Sequence, residues 1–284
     1  MMNLLMSVTW DVDPAIFHIG SFSLRWYSLL FVAGLFPVGY LIMKSFLRRE
    51  NVNEALMDPM LYALLIGTIV GARLGHVCFY DPHYYFAEHP EEILMVWRGG
   101  LASHGGAIGV LIAMIWLSGK YGRKFGFDFM WLMDRLVIPV CFAGMFIRLG
   151  NLFNSEIYGD ATELPWGFIF VRAGETVAKH PTQLYEASSY LLIGLFLLLL
   201  YKKCLPSLKK GTLFGVFLIL LFGARFIIEF IKEPQVAFEQ NMSLDMGQWL
   251  SIPFITAGII ILAISLIKKV PSASRNFSGT SARK

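Results

Sequence analysis

The sequence predicts an all-α polytopic membrane protein, a bundle of seven transmembrane helices with a small external lobe, and three observations predict it. Of the 284 residues, 56% are hydrophobic and only 15% are charged, where a soluble domain carries about 25%. Apolar windows of about twenty residues, the length needed to cross a bilayer, lie near 21–46, 57–80, 100–119, 128–150, 182–203, 211–231 and 247–268. The basic residues, finally, alternate from loop to loop. Loops after spans one, three and five hold Lys44, Arg48 and Arg49; Lys120, Arg123 and Lys124; and Lys202, Lys203, Lys209 and Lys210. The tail adds Lys268, Lys269, Arg275, Arg283 and Lys284, whereas the opposite loops hold only Arg98, Arg172, Lys179 and Lys232. Basic loops stay cytoplasmic, so the N-terminus is expected outside and the C-terminus inside. Residues 1–270 read as one integral membrane domain and 271–284 as a basic, disordered tail. The first twenty residues contain Asp11, Asp13 and Pro14 without a basic leader, so no cleavable signal peptide is expected.

Taken in order, the spans differ in what they carry. Span one opens with Arg25 in "SLRWYSLL", beside Trp26 and Tyr27, which reads as a snorkelling interfacial anchor. Span two holds Gly67, Gly71 and Gly75, and span three holds Gly105 and Gly109. Small residues four apart let helices approach closely. Arg73 either caps span two or pairs with the acidic loop 81–99, which contains Asp81, Glu88, Glu91 and Glu92. His76 reads as an interfacial polar group. His104, in "SHGG", stands beside two glycines where a ligand can approach the backbone. Span four has Asp134 and Arg135 near its inner end, expected to make structural contacts, and Arg148 and Asn151 at its outer end. Residues 151–181 form the longest loop and the expected external lobe. Gln183 and Glu186 then open span five. Arg225 and Glu229, four apart in span six, form either an internal ion pair or a ligand site. Cys78, Cys141 and Cys204 lie in or beside apolar segments without paired spacing, so neither a disulfide framework nor a zinc site is expected.

Ionisable groups in hydrocarbon are costly and need a partner or a function. Here they gather in the outer leaflet, with Asp134 and Arg135 as the inner exception. A transporter or channel needs polar groups along a path through the whole bilayer, and the inner half of nearly every span is apolar. Several arginines in a one-sided cavity suit an anion held at the outer leaflet, and phospholipid head groups are the anions at that depth. The planar guanidinium stays charged and can bind two phosphate oxygens at once.

The stretches "RWYSLLFVAGL", "GARLGHVCFYDP", "LASHGGAIGV", "FIRLGNLFNSEIYG", "HPTQLYE", "GARFIIEFIKEPQ" and "DMGQWLSIP" occur in an order and spacing that resemble the prolipoprotein diacylglyceryl transferases. The resemblance spans nearly the whole chain. The family signature Arg-x-Gly-Asn-x-x-Asn-x-Glu-x-x-Gly matches at Arg148, Gly150, Asn151, Asn154, Glu156 and Gly159. Two departures stand out. Ile147 replaces the usual glycine before the arginine, and Lys232-Glu233-Pro234-Gln235 replaces a common Arg-Gln-Pro-Asp.

The resemblance implies transfer of a diacylglyceryl group from phosphatidylglycerol to the lipobox cysteine of a prolipoprotein signal peptide. A thioether forms and glycerol-1-phosphate leaves, at the outer face of the bacterial cytoplasmic (inner) membrane. It also implies that Arg148 and Arg225 hold the phosphate, and that His104 or Tyr27 handles the thiol proton. Asn151, Asn154, Glu156, Gly159 and Glu229 belong to the phosphatidylglycerol site on the same ground. No redox motif, nucleotide loop or metal-ligand cluster is evident, so no cofactor, no metal and no nucleic-acid partner is expected.

Overall fold

The computed structural model of the chain describes residues 7–20, 22–233 and 243–267; the expected tail at 271–284 lies outside them. Seven helices are long and apolar enough to cross a membrane: Trp26–Arg49, Glu54–Phe79, His104–Phe125, Phe129–Phe153, Thr182–Cys204, Thr212–Glu229 and Met246–Ile267. They are spans one to seven below. Each falls on an expected window, with shifted ends. Span one starts late because Phe22–Arg25 is a strand, β3, paired antiparallel with β2, Ala15–Ile19. Span three runs on to Phe125, where Gly126 takes the left-handed conformation that ends helices. Inside span one, Pro37 has no N–H to give the helix ladder, and Gly34–Gly39 widens to a π turn.

Spans two and three pack together, as do four with five and six with seven, while span four also touches one, three and six. Span four is therefore the hub: half of its apolar window is buried inside the protein, against 17% in spans one and seven. The main apolar core gathers residues such as Phe46, Leu56, Leu117, Leu132, Leu197 and Leu213. These come from the ends of the spans remote from the lobe, so close apolar packing fills that half of the bundle. The polar side chains are left to the other half.

The remote end has one buried polar knot. Glu50 accepts two hydrogen bonds from Arg135, each 2.8 Å, one from Trp131 Nε1 at 2.8 Å and one from the Tyr201 hydroxyl at 2.9 Å. Asp134, fully buried, accepts from the backbone N–H groups of Gly211 at 2.7 Å and Phe214 at 2.9 Å. It satisfies donors that the start of span six leaves open. The expectation of structural contacts for Asp134 and Arg135 holds.

The glycine stripes act as expected. A Cβ on Gly67 would stand 2.7 Å from the Gly109 carbonyl oxygen, and one on Gly71 would stand 2.7 Å from Gly109 Cα. Only hydrogen fits between these backbones. Gly71→Leu is expected to cost about 1–3 kcal/mol or more through overpacking, read as a lower unfolding temperature in detergent; an unchanged temperature would show that the two helices slide apart freely.

The lobe follows span four. Strand β4, Phe168–Phe170, pairs in parallel with β1, Val8–Trp10, so the N-terminal segment is built into the lobe. Trp10 Nε1 donates to the Leu152 carbonyl at 3.0 Å, and Arg172 pairs with Asp11 at 3.0 Å and Asp13 at 3.2 Å. None of these strands was legible as an element, because three to five residues give too little alternation.

Candidate active site

Arg148 sits one turn before the end of span four, its side chain 15% exposed. Its Nε lies 3.0 Å from Oε2 of Glu186, a fully buried carboxylate one turn into span five. Its Nη1 donates to Asn151 Oδ1 at 3.4 Å. Glu186 also faces Lys232 Nζ at 3.4 Å, and Lys232 in turn lies 3.4 Å from Glu229. A line of alternating charge, Arg148–Glu186–Lys232–Glu229, thus crosses the lobe side of the bundle. Arg225 and Glu229 make no ion pair here, since Glu229 turns to Lys232 three residues on. Among the described residues the buried Nε of Arg225 has no hydrogen-bond partner, which is costly for a charged group.

The rest of the signature builds the turn out of span four. Asn151 Nδ2 and Asn154 Nδ2 both donate to Glu156 Oε1, at 2.8 and 3.1 Å, holding this exposed carboxylate over the helix end. The chain then bends through Ser155 at φ 53° and Ile157 at φ 61°. A β-branched residue at positive φ is strained by roughly 1–3 kcal/mol and persists only where its surroundings dictate it. Here span five dictates it: Gln183 Nε2 donates to the Glu156 carbonyl at 2.8 Å and Thr182 Oγ1 to that of Ile157 at 2.9 Å.

Gly159 closes the turn. Its N–H donates to the His180 carbonyl at 2.8 Å and it bridges antiparallel to Lys232. A Cβ there would meet the Ile231 carbonyl, and would come within 2.7 Å of the Thr182 methyl. Glycine at this point is what lets the end of span six approach and deliver Lys232. In the lobe beyond, Lys179 pairs with Glu233 and, at 3.5 Å, with Glu175. Burial alone would lower the Lys179 pKa, but the two carboxylates outweigh it and hold the ammonium above the usual lysine range.

Tyr27 joins this cluster through Gly150. A Cβ at Gly150 would lie 2.8 Å from Tyr27 Cδ2, so the missing side chain seats the ring, and Glu156 and Arg148 are within electrostatic reach of the phenol. His104 stands apart on the start of span three, exposed and stacked on Tyr80 with ring centroids 5.8 Å apart. Among the described residues no hydrogen bond or ion pair links His104 to the Arg148 cluster. Arg25 is exposed at the end of β3. Arg73, by contrast, is buried and spends its donors on carbonyls, Ile93 at 2.9 Å, Gly99 at 2.8 Å, Gly100 at 3.1 Å and Glu92. It staples the 92–100 loop and, among the described residues, pairs with no carboxylate.

The structure therefore brings together Arg148, Asn151, Asn154, Glu156, Gly159 and Tyr27, with Arg225 and Glu229 on the facing span. Sequence reasoning passed over Thr182, Gln183, Glu186 and Lys232 as parts of the site. Glu186 and Gln183 had a usable signal, a polar pair three residues apart at the start of an apolar span. Among the described residues no group of three His, Cys, Asp or Glu side chains gathers as a metal site requires.

Comparison with known proteins bears on what this arrangement does. A family model described as prolipoprotein diacylglyceryl transferase matches residues 14–264. The chain is 47% identical over 260 residues to the phosphatidylglycerol–prolipoprotein diacylglyceryl transferase of Tolumonas auensis, covering 92% of this chain and 98% of that one. Relatives with the same name in Porphyromonas gingivalis and Bacteroides fragilis are 43% and 40% identical, each across 92% of this chain and 95% and 96% of their own.

Proposed function

The chain belongs to the prolipoprotein diacylglyceryl transferase family, and from that premise we propose that it moves the diacylglyceryl group of phosphatidylglycerol onto a prolipoprotein lipobox cysteine. The observation that carries this reading is the charge balance beside the lobe. Arg148 and Lys232 pair with two buried carboxylates, Glu186 and Glu229, and among the described residues the buried Nε of Arg225 has no hydrogen-bond partner. That open guanidinium edge is suited to an anion, and a lipid phosphate at the membrane surface supplies one.

In this reaction the cysteine sulfur attacks the glyceryl carbon that bears the phosphate ester. A C–S bond forms, the C–O bond breaks with its electron pair going to oxygen, and glycerol-1-phosphate departs. Arg148 and Arg225 stabilise the charge that grows on the departing phosphate, the kind of fixed donor that contributes most in a water-poor site. The thiol proton goes to His104 or Tyr27; a free cysteine near pKa 8.5 needs such an acceptor to become the thiolate nucleophile. Asn151, Asn154, Glu156, Gly159 and Glu229 shape the phosphatidylglycerol site. This chemistry calls on side chains alone and needs no cofactor, and neither it nor the loop charges suggest a nucleic-acid partner.

The alternation of basic loops supports a place in the bacterial inner membrane with the lobe and site at its outer face. The domain reading follows: one membrane domain over 1–270 with the lobe inserted near 151–181.

The test is a mass measurement. Purified protein incubated with phosphatidylglycerol vesicles and a lipobox peptide should add one diacylglyceryl mass to the cysteine and release glycerol-1-phosphate. A lipid transporter or a lipid-binding scaffold adds none, and that outcome overturns the reading. Within it, His104→Gln is expected to slow turnover by about 10²–10⁴-fold, the usual worth of a general base. Full turnover by this variant across pH assigns the proton to Tyr27 instead.

A further inference from the structure

Tyr190 lies one helical turn beyond Glu186 on span five, so the two side chains share a face. That face meets a matching pair on span four, Gly144 and Arg148, also one turn apart. A Cβ on Gly144 would stand 2.8 Å from Tyr190 Cδ2 and 3.2 Å from Cε2. The bare glycine therefore admits the ring, and the phenol is carried up the shared face to within electrostatic reach of Arg148. Tyr190 is buried, only 6% exposed. Arg225, from span six, is within electrostatic reach of the same phenol.

The chemistry of this junction is specific. A guanidinium only donates, and a phenol oxygen offers two acceptor lone pairs and one donor. Two arginines brought together repel, and a carboxylate placed between them would cancel the charge they need for phosphate. A phenol accepts from guanidinium groups while adding no charge of its own. Glu186 faces Nε of Arg148 as an ion pair and Asn151 accepts from Nη1, so a neutral phenol beside them adds an acceptor without adding charge.

Resting on the transferase reading above, we infer that Tyr190 is a positioning residue, whose hydroxyl, seated by Gly144, sets Arg148 against Arg225 so that both address one phosphodiester. Its effect reaches the reaction through the two arginines and concerns the lipid substrate, not the peptide.

Tyr190→Phe is the test, because it keeps the ring in the Gly144 notch and removes only the hydroxyl. Each substrate is varied in turn, with phosphatidylglycerol in mixed micelles and a lipobox peptide as probes. The expected result is a fall of about 10-fold or more in kcat/KM for phosphatidylglycerol, the scale of one hydrogen bond to a charged group. The KM for peptide and the unfolding temperature should stay at wild-type values. Gly144→Ala, which displaces the ring with its hydroxyl intact, should give the same split. Unchanged lipid kinetics in Tyr190→Phe overturn the inference, and so does an equal shift of both KM values together with a lowered unfolding temperature. Wild-type protein that forms no thioether defeats the transferase reading itself, whereas an active wild type matched by Tyr190→Phe defeats only the role of Tyr190.

Discussion

Arg148→Ala is expected to lower the rate of thioether formation by at least about 10²–10³-fold, the cost of deleting one preorganised donor aimed at developing charge. The guanidinium is ion-paired with Glu186 at 3.0 Å and donates to Asn151 at 3.4 Å, so it is in place before substrate arrives. A group fixed in advance contributes its full interaction at the transition state without reorganising. Arg148→Lys separates charge from geometry: lysine keeps the cation but loses the planar fork, and an intermediate rate is expected. Single-turnover mass spectrometry at saturating peptide reads the chemical step directly. If Arg148→Ala keeps the wild-type rate in membranes containing phosphatidylglycerol, the phosphate does not sit at Arg148.

The sequence made the bundle legible because hydrophobic length and basic-loop alternation are properties of whole segments. The signature residues were legible for a different reason. Arg148, Asn151, Asn154 and Glu156 lie close along the chain, so their spacing alone pointed to one turn. What escaped was the partnership across spans. Glu186 and Lys232 are 46 residues apart and meet only because Gly159 pairs with Lys232 at the base of the lobe. Arg73 was expected either to cap span two or to pair with the acidic loop, and what it meets is the backbone of that loop, whose carbonyls about 20 residues on take its donors. Carbonyls leave no mark in a sequence, so such a partner is invisible until the fold is known. The β1–β4 pairing was hidden likewise, since it joins residues 160 apart through three-residue strands.

Glu186→Leu is expected to destabilise the protein more than any change at the lipid-facing surface, by about 3–5 kcal/mol, the usual result of removing one partner from a buried ion pair. The carboxylate is fully buried between Arg148 and Lys232. Without it two cations face each other in a medium that screens poorly, and among the described residues Lys232 retains Glu229. Net stabilities lie near 5–15 kcal/mol, so the loss is a large share of the total and should appear as a lowered unfolding temperature in detergent. Glu186→Gln keeps hydrogen-bonding oxygen while losing charge, and a smaller loss is expected. Adding Lys232→Met to Glu186→Leu removes one of the stranded cations and should recover part of the stability, a coupling of about 0.5–3 kcal/mol. Independent, additive effects at the two positions would mean that the alternating charges do not act as one network. Arg148 would then be positioned by Asn151 and Tyr190 and not by its ion pair with Glu186.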